Sequence, residues 1–114
     1  MQSEGQAEEN IRVTESTPKF LIHNEGDHVA VAVQDVTPGQ SAAVYAVYMD
    51  SDRAVVVHPT EAIPLGHKVA LVDLGEGAEV IEYGVRIGLT RQPIKAGQLV
   101  HVHNIRSARW QTSI

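Results

Sequence analysis

The feature that most restricts this chain is how often it must turn. One local pattern recurs four times: an apolar residue, two variable residues, then glycine. It reads Val36-Thr-Pro-Gly39, Ile63-Pro-Leu-Gly66, Leu74-Gly-Glu-Gly77 and Ile94-Lys-Ala-Gly97. The apolar residue anchors the end of one segment, and glycine takes a positive-φ turn position without a Cβ clash. A strand-like run follows each glycine. The spacing is too uneven for a solenoid, so the pattern predicts a small barrel or clip whose chain reverses often.

The runs between these turns are short and rich in Val and Ala, which favours strands, because branched side chains pack well on a pleated surface. Strands are expected over Phe20–His23, Val29–Gln34, Ala43–Met49, Ala54–His58, His67–Asp73, Glu79–Tyr83, Val85–Arg91 and Leu99–Ile105. No window of twelve residues carries a helical period of apolar positions. The expectation is an all-β domain with at most one helical turn.

At 114 residues the chain has room for one domain. Residues 1–18 are polar and acidic and lack apolar periodicity, so they are expected to form a disordered tail, with the domain at 19–114. No apolar run is long enough to cross a bilayer, and the N-terminus lacks a signal pattern. No cysteine is present, which excludes disulfides and any iron–sulfur cluster held by this chain alone. These features fit the cytoplasm. About half of the net charge of −5 falls before Pro18 (Glu4, Glu8, Glu9 and Glu15 against Arg12), which leaves the body without a basic stripe for nucleic acid.

Histidines are the residues most suited to chemistry. In His101-Val-His103-Asn104, residues two apart on a strand would share a face, so His101 and His103 would project together. Two such imidazoles could chelate a metal or share proton transfer. The competing reading is a solvated strand face, since no third ligand is near. Gly66-His67-Lys68 opens a strand after a Pro-Gly turn and suits an anion, although successive strand residues point to opposite faces. Between Ile22 and His28, turn chemistry accounts for Asn24, Gly26 and Asp27 but not for His23 or His28. Tyr83-Gly84 reads as a tight turn, with Tyr83 capping the core or lining a pocket, and His58 reads as loop surface. No phosphate loop, nucleophile elbow or paired carboxylates are present, so an autonomous hydrolase is hard to build.

Three segments in this order, His23 to Gly39, Ile63 to Asp73 and Val80 to Asn104, resemble a SAF domain of the kind found in altronate and galactarate dehydratases and in the separate small subunit of sulfolactate sulfo-lyases. The likeness spans about Lys19 to Arg106. It implies a β-clip fold beside a larger catalytic subunit that removes water or sulfite from a small hydroxy-acid, together with a divalent metal, iron in the dehydratases, held mainly by that partner. Self-association of the chain is compatible with it. On the matching positions it implies acid–base roles for His67, His101 and His103, with metal ligation open to the last two, and substrate binding by His23, Lys68, Tyr83 and Asn104. Gly66 and Gly84 also match, whereas His28 stands where Asn is expected in the dehydratases. Ala43 to Glu61 is longer than in fused enzymes and is expected to be a hairpin particular to stand-alone subunits. The matching segment ends close to the end of this chain, so the catalytic portion is expected on another polypeptide. The alternative is a non-catalytic SAF module that binds a carbohydrate or sugar acid.

Overall fold

The computed structural model describes residues 18–38 and 44–107. The expected tail, apart from Pro18, lies outside these residues, as do Gly39 of the first turn and Ala43. Every regular element among the described residues is a strand: β1 (Phe20–Ile22), β2 (Val29–Ala32), β3 (Val44–Tyr48), β4 (Ala54–Val57), β5 (Lys68–Ala70), β6 (Glu79–Glu82), β7 (Val85–Thr90), β8 (Leu99–Val100) and β9 (Ile105–Ser107). The all-β, clip-like expectation therefore holds. Six strands form one sheet in the order β4-β3-β1-β2-β5-β8, and β6-β7-β9 form a second. The hairpin expected between Ala43 and Glu61 is the antiparallel pair β3–β4.

The larger sheet exists because its strands have something to bury on both faces. On one face Phe20, Ile22, Ala30, Ala32, Val44, Ala46, Val57 and Val69 gather with Val36 and Ile63 into the main core. On the other, Val29, Ala70 and Val100 meet Leu74, Val80 and Ile94, which joins the two sheets. Each Val or Ile fully removed from water contributes roughly 1.5–3 kcal/mol. Ala30 and Ala32 line the first face where Phe20 and Ile22 need room. Beyond β4 the chain crosses to the opposite edge of its own sheet, where Thr60 N–H donates to the Gly97 carbonyl (2.9 Å) and Leu99 N–H to the Glu61 carboxylate (2.9 Å).

The four recurrent turns pair off as two clasps. Val36 and Ile63 exchange two backbone hydrogen bonds of 2.9 Å, and Leu74 and Ile94 exchange two of 2.7 and 2.8 Å. In each clasp the aspartate before the first apolar residue accepts a backbone N–H two residues beyond the second. Asp35 takes Leu65 N–H and Asp73 takes Ala96 N–H, both at 2.8 Å. The second turn of each clasp closes on a glycine in the left-handed region, Gly66 at φ 85° and Gly97 at φ 95°.

One expected strand is interrupted. Leu99–Ile105 breaks into β8 and β9, and residues 101–104 turn between them. The cause is Asn104, whose side chain is buried: its Oδ1 accepts His101 N–H (2.9 Å) and its Nδ2 donates to the Leu99 carbonyl (2.7 Å). An Asn side chain that satisfies local backbone groups offers the chain an alternative to the ladder. Val102, two residues beyond the buried Val100, is therefore not inward on a continuing strand but 67% exposed. β9 then pairs with β7 in the second sheet.

Candidate functional site

Four polar side chains are buried among the described residues: Asp27, Glu82, Thr90 and Asn104. Three of them serve backbone groups. Thr90 Oγ1 donates to the Gly75 carbonyl (2.6 Å) and accepts Ala78 N–H (2.8 Å), and Asn104 staples its turn as above. Asp27 accepts three N–H groups, from Asn24 (3.1 Å), Tyr83 (3.0 Å) and Gly84 (3.2 Å). Glu82 is different, because its partners are ionisable side chains.

Glu82 ends β6 at the seam between the two sheets. One carboxylate oxygen lies 3.4 Å from His23 Nε2 and the other 3.7 Å from Lys68 Nζ. The carboxylate side chain is 5% exposed, His23 14% and Lys68 32%, so the cluster opens toward solvent through the lysine. Burying a carboxylate is costly unless it has partners, and here it is flanked on both sides. His23 is held from three directions. Its Nδ1 lies 3.0 Å from Met49 Sδ, its Nε2 faces Glu82, and its ring stacks on Tyr83 with centroids 3.8 Å apart at 14°.

Tyr83 reaches that stack through an unusual backbone. It and Gly84 form the two-residue connection between β6 and β7, with φ of 60° and 73°. Positive φ at both positions is the hairpin geometry that matches strand twist, but it is costly for a tyrosine. Asp27 holds it there by accepting both N–H groups of the turn, and its bond to Asn24 N–H ties the loop after His23 to the same point. The loop carrying His23 and the turn carrying Tyr83 are thus fixed to one carboxylate. We expect Asp27→Ala to destabilise the chain by about 2–4 kcal/mol, because three backbone N–H groups lose the one carboxylate that holds the loop and the turn together. Urea unfolding measures this, and an unchanged midpoint would mean that the loop and the turn are held by other contacts.

A second cluster forms where β5 meets β8. The register pairs Lys68 with Val100, so His67 and His101 lie opposite each other one step beyond the ladder. Their rings stand 4.9 Å apart at 56°. His67 Nδ1–H donates to the Leu65 carbonyl at 3.4 Å, which leaves Nε2 as the basic nitrogen. His101 is exposed and His67 half-buried. Strand alternation sends Lys68 to the opposite face, toward Glu82, so the adjacent His67 and Lys68 serve two clusters that flank the start of β5.

The structure therefore regroups the sequence candidates. His23, Lys68 and Tyr83 come together around Glu82, and His67 joins His101. His103 does not pair with His101, because the turn separates them; it is exposed and makes no side-chain hydrogen bond or ring contact among the described residues. Asn104 is committed to the turn, with both amide ends bonded to backbone. His28 is half-buried and accepts Ile81 N–H on Nδ1 (3.1 Å), which stitches the two sheets together. Sequence reading missed Glu82 and Asp27. The only signal for Glu82 was a carboxylate directly before the Tyr-Gly turn. Asp27 looked like ordinary turn chemistry. Among the described residues no three His, Asp or Glu side chains converge as a protein-held metal requires.

Comparison with known proteins places this geometry. The family described as the altronate/galactarate dehydratase SAF domain matches residues 18–108. The (2R)-sulfolactate sulfo-lyase subunit alpha of Chromohalobacter salexigens is 42% identical over 92 residues, which cover 80% of this chain and 96% of that subunit. Altronate dehydratase of Escherichia coli is 38% identical over 81 residues, which cover 71% of this chain but 15% of the enzyme. Galactarate dehydratase of the same organism is 32% identical over 93 residues, again 16% of its length. The matching region is thus nearly all of one kind of relative and a small part of the other.

Proposed function

This chain belongs to the altronate/galactarate dehydratase SAF-domain family, and on that premise we propose that it is the small subunit of a lyase that eliminates sulfite or water from a small hydroxy-acid. The observation that carries this reading is the near-complete coverage of the sulfo-lyase subunit alpha, a protein named as one part of a larger enzyme. Sulfolactate is accordingly the first substrate to test, ahead of altronate and galactarate. The large catalytic subunit completes the active site against the end of β5, where both side-chain clusters lie.

Elimination next to a carboxylate needs a group to hold the anion, a base to take the proton, and an acid to help the leaving group. Lys68 fits the first role. Its ammonium is partly exposed and pairs with Glu82 on one side, which leaves donors for a carboxylate or sulfonate. Tyr83, 59% exposed over the His23 ring, forms a wall of the same opening. His67 fits proton transfer, since its Nδ1–H is engaged and its Nε2 is basic. A divalent metal of the dehydratase kind would be held by the partner's side of the site.

The test is assembly followed by assay. The purified chain alone should turn over none of the three acids, and the complex with the large subunit should turn over one of them. Activity in the isolated chain, or failure of the two chains to associate, overturns the subunit reading.

A further inference from the structure

The six-stranded sheet closes on itself at one end and gapes at the other. Where residues 60–61 meet residues 97–99, hydrogen bonds join its two edges. Farther back, a cavity of about 510 Å³ separates β4 from the segments around Leu71 and Gly97. Val55, Val57, Ala70, Leu71 and Val72 give it apolar walls. Val72 is 41% exposed beside it.

The β4 border of this cleft has unused backbone groups. Tyr48 N–H donates to the Arg53 carbonyl at 3.0 Å, which fixes the phase of the β3–β4 ladder. Hydrogen-bonded pairs alternate in an antiparallel ladder. Val55 and Val57 therefore bond inward to β3, while the N–H and C=O groups of Ala54 and Val56 point away from it. Among the described residues β4 ends the sheet, and the outward N–H and C=O groups of Ala54 and Val56 meet no hydrogen-bond partner. Proteins normally blunt such an edge with a charge, a proline or a bulge. Ala54-Val-Val-Val57 carries none of these.

We infer that the outer edge of β4 and the cleft beside it receive an extended, apolar segment of the large subunit, flanked by basic residues, as an added strand. The inference rests on the small-subunit reading above. Outward donors and acceptors at every second residue match only an extended backbone, and the apolar walls accept its alternate side chains. Charge sets the flanks. The turn leading into β4 exposes Asp50 and Asp52, neither ion-paired among the described residues, while Arg53 is already taken by Glu25. A second copy lacks the matching charge: in an antiparallel pair of these edges each acidic turn would lie beside the other's Val57-His58 end, which carries no lysine or arginine.

The test uses the full chain with the large catalytic subunit from the same source. In the free chain the amides of Ala54 and Val56 should exchange with solvent rapidly, and assembly should slow them by about tenfold or more. Val56→Pro removes the outward N–H and leaves the inner ladder intact, as proline is tolerated on the open side of an edge strand. It should keep the melting temperature of the free chain within a few degrees and weaken assembly by about tenfold or more. A wild-type complex in which both amides still exchange freely overturns the inference, whatever the proline variant does. So does slowing of the same amides in the chain alone at raised concentration, which would assign the edge to self-association. Failure to form any complex removes the subunit reading first and this inference with it.

Discussion

Replacing Gly97 with alanine is expected to leave the chain largely unfolded at ordinary temperature. Gly97 sits at φ 95°, where a side chain costs roughly 1–3 kcal/mol before any contact is counted. A Cβ there would also land inside the contact distance of the His58 carbonyl oxygen and press on the Thr60 methyl. The oxygen is backbone and cannot swing aside. It is pinned because Thr60 N–H donates to the Gly97 carbonyl and Gly97 N–H donates to Ala70, so relief means separating the two edges of the larger sheet. Losing those bonds adds about 1 kcal/mol each, for a total near 3–5 kcal/mol. That is a large part of what a domain of this size has to lose. Gly77 is the control. Its φ of 78° carries the same conformational cost, but nothing lies within 4 Å of a Cβ there. Urea unfolding of both variants should show Gly97→Ala losing at least twice as much as Gly77→Ala. Equal losses would show that the edges are not locked at residue 97.

The second large effect is expected in the assembled enzyme. His67→Gln keeps size and polarity but removes the basic nitrogen, and should lower kcat by about a hundredfold or more if that nitrogen moves the proton. Lys68→Met keeps the stem and removes the ammonium, so it should act mainly on KM, raising it by about tenfold or more as the substrate anion loses its partner. His103→Gln should change neither by more than about threefold, since the turn leaves His103 exposed and apart from His101. The split between the constants separates a chemical role from a structural one, because a merely loosened fold would depress all three variants together. A large effect in Lys68→Met with none in His67→Gln would assign the active face to the seam around Glu82 alone. Full activity in both would remove the end of β5 from the site.

Which parts of this were legible in the sequence follows from how local each signal is. The Val-Ala run of β2 and the glycine turns rest on residues close together in the chain; the run and the three of the four turns whose glycines are described are found where expected. What joins them is not local. Nothing in the spacing says that Val36 closes on Ile63 while Leu74 closes on Ile94, because either partner satisfies the same backbone groups. The strand through His101 and His103 failed for a definite reason. Its residues alternate apolar and polar as a strand's do, yet the Asn104 side chain bonds the backbone of residues 99 and 101 and turns the chain instead. Glu82 was invisible for the opposite reason. On β6 it looks like the solvent half of an alternating strand, and only the packing of one sheet on the other turns that position inward, toward His23 and Lys68. His67 and Lys68 were singled out together, and their division between two faces follows from the pleat alone.

The two clasps also make the molecule approximately symmetric with itself. Asp35 and Asp73 stand in equivalent places, as do Val36 and Leu74, Ile63 and Ile94, and the turn glycines 66 and 97. Continuing the equivalence by one and two residues sets Gln98 against His67 and Leu99 against Lys68. The backbone repeats there as well: the His67 carbonyl accepts Ala32 N–H (2.8 Å), and the Gln98 carbonyl accepts Ala70 N–H (2.9 Å). The fold thus presents the same hook twice and, at the two positions after the turn glycine, equips only one copy with ionisable groups, while the other carries an amide and an aliphatic side chain there and ties the neighbouring strand into the sheet.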